Sequence, residues 1–184
     1  MAPEIQQIRQ GHIDLSRFGD WHENCDFVTH PDPWSGFSPV YAVDRERYFN
    51  ITEIAIARNI PDSLEHYLSQ QFAFLSDKVY AAHLIPAGKI LPWHQDAYRI
   101  YCEKRAITDL SLITRVIIFV QDWKIGHGLQ VGDRSIGTWQ RGDWVSWQGD
   151  TPHLVYNLGQ DPRYTLQITG TKMSNNLDHD LNIL

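Results

Sequence analysis

His94 and Asp96, in the segment Leu91-Pro-Trp-His-Gln-Asp96, stand two positions apart, and His153 and Arg163 follow at a spacing of ten. Side chains at i and i+2 of an extended chain point the same way, so His94 and Asp96 can reach one ion while Gln95 turns away. A third ligand must come from elsewhere in the chain, and His153 is the candidate. Two imidazoles and one carboxylate on one side of an ion make a mononuclear iron site with three coordination positions open. Oxygen and a chelating cosubstrate can occupy open positions of that kind.

His-x-Asp is a weak signal by itself. With 9 His and 16 Asp in 184 residues, composition alone predicts about 0.8 occurrences. The chain has three. His12-Ile-Asp14 lies near the start, and His30-Pro-Asp32 sits in a loop-like stretch with Pro33, Trp34, Gly36 and Pro39. Only His94-Gln-Asp96 is followed by several strand-like segments and then by a histidine at the start of one of them, the order a barrel needs to bring both ends together.

In Arg163-Tyr-Thr-Leu-Gln-Ile-Thr-Gly170, apolar Tyr164, Leu166 and Ile168 alternate with Arg163, Thr165, Gln167 and Thr169, so a strand with one packed and one polar face is expected. A guanidinium among small polar side chains offers a two-pronged, permanently charged partner for a carboxylate, which suits the far end of a dicarboxylic acid. An edge-strand surface arginine is the plainer alternative.

From Val79 to Lys172 the chain resembles the Fe(II)/2-oxoglutarate-dependent dioxygenases, whose motif is His-x-Asp, a distal His, and Arg or Lys about ten residues later. Arg115-Val-Ile-Ile-Phe-Val-Gln-Asp-Trp123, Gly126-His-Gly-Leu-Gln-Val131 and Arg141-Gly-Asp-Trp-Val-Ser-Trp147 look like strands of the prolyl-hydroxylase and aspartyl-hydroxylase branches. The resemblance departs in two places: lysine is commoner than Arg163 in the prolyl branch, and a Gly-Gly pair usually stands where Gly126-His127-Gly128 stands here. It implies that His94, Asp96 and His153 hold Fe(II) and that Arg163 binds the distal carboxylate of 2-oxoglutarate. It implies no catalytic side chain beyond the metal ligands. Oxygen and 2-oxoglutarate would then be consumed, with ascorbate as a reductant, releasing succinate and carbon dioxide as a C–H bond is hydroxylated. An acid at position 96 favours hydroxylation over halogenation, because related halogenases have a small residue there. A cupin-like metalloenzyme without 2-oxoglutarate and a catalytically silent binding module are the rival readings.

The positioning elements are mainly strands. Residues 1 to about 50 are rich in Pro, Gly and aromatics, with a short strand expected at Pro39–Val43, and Ile51–Ile60 holds another. Asp62 and Glu65 form a cap-like pair after Pro61, and Leu64, Tyr67, Leu68, Phe72 and Leu75 recur at helical intervals, so a helix is expected from Asp62 to near Ser76. Short strands punctuated by Gly follow from Val79. The expected fold is mainly β with flanking helices, a double-stranded β-helix or cupin-like jelly-roll barrel. It forms one dioxygenase domain over residues 1–184, with cover and buttressing helix to about 78, core from about 79 to 172 and a tail at 173–184.

Val116 to Val120 is apolar on both faces, as suits a strand between barrel interior and covering helix. Arg115, at its start, reads either as a second carboxylate contact in the barrel or as a structural salt bridge. Asn157 is a candidate to support the iron site from behind His153, and Trp93 to line the pocket. Trp139, Trp144 and Trp147 are expected in the core, His83 as a satisfied core histidine, and His127 exposed in a loop. Segment 97–114, with Tyr98, Arg99, Tyr101, Lys104 and Arg105, reads either as a substrate-gripping loop, Tyr98 and Arg99 foremost, or as a solvated charge cluster.

Composition sets the outer bounds. At 184 residues and 42% hydrophobic content the chain has material for one sizeable core. A net charge of −6 disfavours a nucleic-acid substrate and leaves a peptide, protein side chain or small molecule. Two cysteines, Cys25 and Cys102, make no disulfide framework, the first residues lack the pattern of a secretion signal, and no apolar run reaches the ~20 residues of a membrane span. A cytoplasmic protein is expected, with its oligomeric state open.

Overall fold

Alternation along the strands builds two antiparallel sheets in the computed structural model, which describes residues 8–39 and 44–172. Residues 40–43 of the strand expected at Pro39–Val43, and the tail at 173–184, lie outside the described residues. The strands are β1 (Arg9–His12), β2 (Val28–Thr29), β3 (Ala55–Ala57), β4 (Leu75–Ile85), β5 (Lys89–His94), β6 (Ile113–Phe119), β7 (His127–Val131), β8 (Arg134–Ile136), β9 (Asp143–Gln148), β10 (His153–Asn157) and β11 (Arg163–Lys172), and the first helix, α1, is the single turn Arg45–Tyr48. One sheet runs β1-β9-β6-β11-β4-β3-β2 and the other β5-β10-β7-β8. Strands β4 to β11 pass back and forth between the sheets, apart from the β7–β8 hairpin within the smaller one, in the order of a double-stranded β-helix, and β1, β2 and β3 extend the larger sheet at its edges. Among the described residues no helix is long and apolar enough to cross a membrane.

Strand β6 shows why the run after Arg115 is apolar throughout. Val116 and Ile118 pack outward with Leu166 and Ile168 of β11. Ile117 and Phe119 pack inward with Leu129, Val131, Val145 and Trp147. The outward side is covered by α2 (Asp62–Gln71), whose Leu64 and Leu68 are completely buried, with Phe72 next to them. The acids Asp62 and Glu65 occupy its first turn, where the helix dipole favours negative charge, but no side chain caps it and Pro61 is the N-cap residue.

The helix stops at Gln71, short of the expected end near Ser76. Leu75 continues the helical spacing in sequence, yet it is the first residue of β4, paired with Lys172. An irregularity in the β4–β11 ladder follows, with Asp77 at a φ of +51°. Of the stretch Ile51–Ile60, three residues form β3. Trp139 and Trp147 are buried on the inner side, while Trp144 is partly buried on the outer side against Phe72.

Candidate metal centre

The β5–β10 ladder pairs His94 directly with His153. This register sets two imidazoles distant in sequence side by side, with ring centroids 4.3 Å apart. Asp96, two residues past His94, is held by a bridge to Phe37, and the flanking bonds Ser38 N–H to Gln95 O and Ala97 N–H to Gly36 O fix the turn on both sides. Gln95 points away from the histidines and donates to the carbonyl of Asp150, which ties this segment to the turn just ahead of His153. Ligand atoms of His94, Asp96 and His153 all fall within 4.8 Å of one another. His94 Nε2 is 4.0 Å from Asp96 Oδ1, and His153 Nε2 is 3.6 Å from Asp96 Oδ2.

The other ring nitrogens settle the tautomers. His94 Nδ1 donates to the carbonyl of Pro92 at 2.6 Å, and His153 Nδ1 to that of Thr151 at 3.1 Å. With Nδ1 protonated, each Nε2 carries a lone pair toward Asp96, the state a metal requires. Burial, with the neighbouring His153 imidazole adding to it, pushes His94 down to about 3. Burial likewise lowers His153, against the pull of Asp96. Burial alone would raise the Asp96 carboxyl, but the Arg115 guanidinium, His153 and His94 together outweigh it and hold the group well below the usual carboxylate range. Two neutral nitrogens and one carboxylate are thus ready at neutral pH, a donor set that fits Fe(II).

A cavity of about 170 Å³ opens on this cluster. Its walls include Arg163, Thr165 and Gln167, the polar face expected of β11, together with His83 and Ile85 of β4 and Leu91 and Val155 of the smaller sheet. Arg163 is 2% exposed. Its guanidinium carbon lies 5.4 Å from the Trp139 ring centroid and 5.9 Å from that of Phe119. Among the described residues its Nε and one terminal nitrogen have no hydrogen-bond partner, and no carboxylate pairs with it. Burial lowers its pKa to about 9, so the group stays cationic at neutral pH. A buried cation with orphaned donors on a cavity wall fits an incoming carboxylate.

Several expected roles are corrected by position. Arg115 lines the cavity but forms a salt bridge to Asp96 at 2.6 Å, and each of its three nitrogens already has a partner. Asn157 does not support the ligands. Its side-chain N–H groups donate to the carbonyls of Ile85 and Asp161, and its Oδ1 accepts from Gly159, so the amide shapes the β10–β11 turn. Trp93 is half-buried and absent from the cavity wall. Tyr98 is buried, bonded to Arg115 and likewise off the wall, and Arg99 is exposed at the start of α3 (Arg99–Arg105). His127 is buried rather than exposed, with Nε2 on the carbonyl of Asp161. His83 lines the cavity, and its side chain makes no hydrogen bond among the described residues; burial, reinforced by Arg115, lowers it to about 3.

Residues without a sequence signal complete the site. Phe37 stacks on His94 at 4.1 Å between centroids, and His30, Pro33 and Gly36 join it in the cavity wall. The second His-x-Asp thus contributes its histidine to the cavity, while Asp32 pairs outward with Arg45. In the first, His12 instead bonds Asp143 at the sheet edge.

No family model and no curated protein matches the chain. Its structure is similar to a prolyl-4-hydroxylase of Pseudomonas putida, with TM-score 0.58 and 17% identity over 92% of this chain and 94% of that one. The chain has the fold of the 2OG-Fe(II) oxygenases. A prolyl hydroxylase of Trichoplax adhaerens, in complex with a hypoxia inducible factor peptide fragment, superposes with TM-score 0.55 and 12% identity over 82% of this chain and 73% of that one. A 2OG-Fe(II) oxygenase family protein of Burkholderia pseudomallei gives TM-score 0.52 and 12% identity over 87% and 79%. Within this oxygenase fold, the His-Asp-His cluster sits at the junction of β5 and β10.

Proposed function

We propose that the protein is an Fe(II)- and 2-oxoglutarate-dependent oxygenase that hydroxylates a C–H bond of a peptide or protein side chain. The observation that carries this reading is the shared cavity: a His-Asp-His cluster opens onto it, and a buried guanidinium with unsatisfied donors stands in its wall. Fe(II) bound by His94, Asp96 and His153 supplies oxygen activation, coupled to oxidative decarboxylation of 2-oxoglutarate to succinate and carbon dioxide.

The chain's own contribution is positioning and exclusion. His94 and His153 present neutral Nε2 atoms because Pro92 and Thr151 hold their Nδ1 protons. Arg163 offers two parallel donors to a carboxylate, which fixes the cosubstrate's orientation as well as its charge. Leu91, Val155 and Ile85 keep the intervening space apolar, so the charged contacts act in a low dielectric. The peptide preference draws support from the Trichoplax neighbour, which holds a peptide.

The test is product analysis in air with Fe(II), 2-oxoglutarate and ascorbate over a library of short peptides. One succinate is expected for each oxygen atom gained by a peptide, and Asp96→Ala should yield neither. A wild-type protein that binds the metal yet leaves 2-oxoglutarate unconsumed across the library contradicts this reading in favour of a metal site without cosubstrate.

A further inference from the structure

Arg115 is a buried charge, 5% exposed, in a strand whose other residues are apolar except Thr114. Each of its three nitrogens has a partner. One terminal nitrogen donates to Asp96 Oδ2 at 2.6 Å, the other to Thr169 Oγ1 at 2.8 Å, and Nε to the Tyr98 hydroxyl at 3.2 Å. Thr169 faces Arg115 directly across the β6–β11 ladder, so two strands of the larger sheet supply this end of the arrangement.

The Tyr98 contact depends on an uncommon backbone. Tyr98 has a φ of +47° and a ψ of 20°, a left-handed conformation that residues with a Cβ seldom adopt. This turn comes two residues after Asp96 and brings the phenol back over the guanidinium, whose carbon is 4.7 Å from the ring centroid. Room for the ring depends on Gly149, where a Cβ would approach Tyr98 Cε2 to 3.1 Å and the Leu110 carbonyl to 2.8 Å. Tyr101 and Ile113 close around it. A plain salt bridge would need neither the left-handed turn nor the space beside the ring.

We infer that Arg115 is a positioning residue for the metal centre. It clamps Asp96 through one carboxylate oxygen, with Tyr98 and Thr169 bracing the guanidinium, so the carboxylate meets His94 and His153 in a fixed rotamer before any metal arrives. The inference rests on the metal-centre reading of His94, Asp96 and His153. Its consequence is that segment 97–114 begins as a strut behind the site, and Arg115 belongs to Asp96 rather than to a cosubstrate. Hydrogen-bond partners behind a metal ligand typically change metal affinity about 10–100-fold.

Calorimetric titration of metal-free protein with Mn(II) tests this, run on wild type, Arg115→Gln, Arg115→Lys and Tyr98→Phe. Arg115→Gln should weaken Mn(II) binding about 10–100-fold. Arg115→Lys, with a charge but no fork, should recover part of that loss. Tyr98→Phe keeps the ring packing and should weaken binding several-fold in protein that still folds without metal, with only a modest drop in melting temperature from the unsatisfied Arg115 Nε. Co(II) visible spectra should shift in the same variants, a readout that a purely structural role would not move. Mn(II) affinity within twofold of wild type in folded Arg115→Gln overturns the inference. Should the arginine variants not fold, unchanged affinity in Tyr98→Phe overturns it. A wild type that takes no Mn(II) defeats the metal-centre reading itself, an outcome distinct from the other two.

Discussion

Arg163 holds a permanent charge where its desolvation is met by two aromatic faces and no anion among the described residues. Such burial is unfavourable until a carboxylate arrives, so the residue should contribute to ligand binding rather than to stability. Arg163→Met should weaken 2-oxoglutarate binding to the Mn(II)-loaded protein by about 2–5 kcal/mol, the range for truncating one partner of a buried charge pair. Mn(II) affinity in the same variant should stay within twofold; parallel loss of both, read by calorimetry, would contradict the assigned role. Arg163 was legible in the sequence because strand alternation alone separates its polar face from Tyr164, Leu166 and Ile168. The relation of Arg115 to Asp96 was not, since a charge opening an apolar strand fits two descriptions and the partner depends on the path of residues 96–98. Asn157 misled for a related reason. It shares a strand face with His153, but four residues of strand separate them by about 13 Å.

At the scale of elements, the larger sheet divides its labour between two faces. Helix α2 covers the outer one, and Leu68 there is completely buried among residues that do not touch the cavity. Leu68→Ala should therefore cost about 2–5 kcal/mol of stability. Chemical denaturation would measure that loss, with Mn(II) affinity at native conditions unchanged; a large affinity change would mean that the outer core and the site are coupled. The two-sided burial of β6 was readable from Val116–Val120, because a strand apolar on both faces must lie between two layers. The end of α2 was not, because Leu75 satisfies a helical period and a buried position of a strand beneath the helix equally well. Likewise, residues 30–38 read as loop, since a segment that contributes through backbone bridges to Gln95, Asp96 and Ala97 leaves no periodic trace.

At the scale of the molecule, the strand order builds the site: β5 and β10, far apart in sequence, are neighbours in the smaller sheet and bring residue 153 beside residue 94, and the placing of strands after His-x-Asp made that return legible. The same burial makes the fold sensitive to acid. His94 is lowered to about 3 from 6.5, and His153 is lowered too, so between those limits the unfolded chain binds protons that the folded chain refuses. Stability of the metal-free protein should hence rise with pH and fall on acidification below about 6.5, by up to about 1.4 kcal/mol per pH unit for each such histidine. Asp96, held below its usual 3.8, adds a loss in the same direction at lower pH. Urea unfolding at a series of pH values in the presence of a chelator would show this, and a midpoint independent of pH between 4 and 7 would contradict it. The central claim is that metal and 2-oxoglutarate meet in one cavity, and anaerobic titration of the protein with Fe(II) and then 2-oxoglutarate tests it most directly. A weak visible charge-transfer absorption should appear only when both are present, saturate at one equivalent of each, and vanish in Asp96→Ala. Its absence from wild-type protein that has bound Fe(II) would contradict the account.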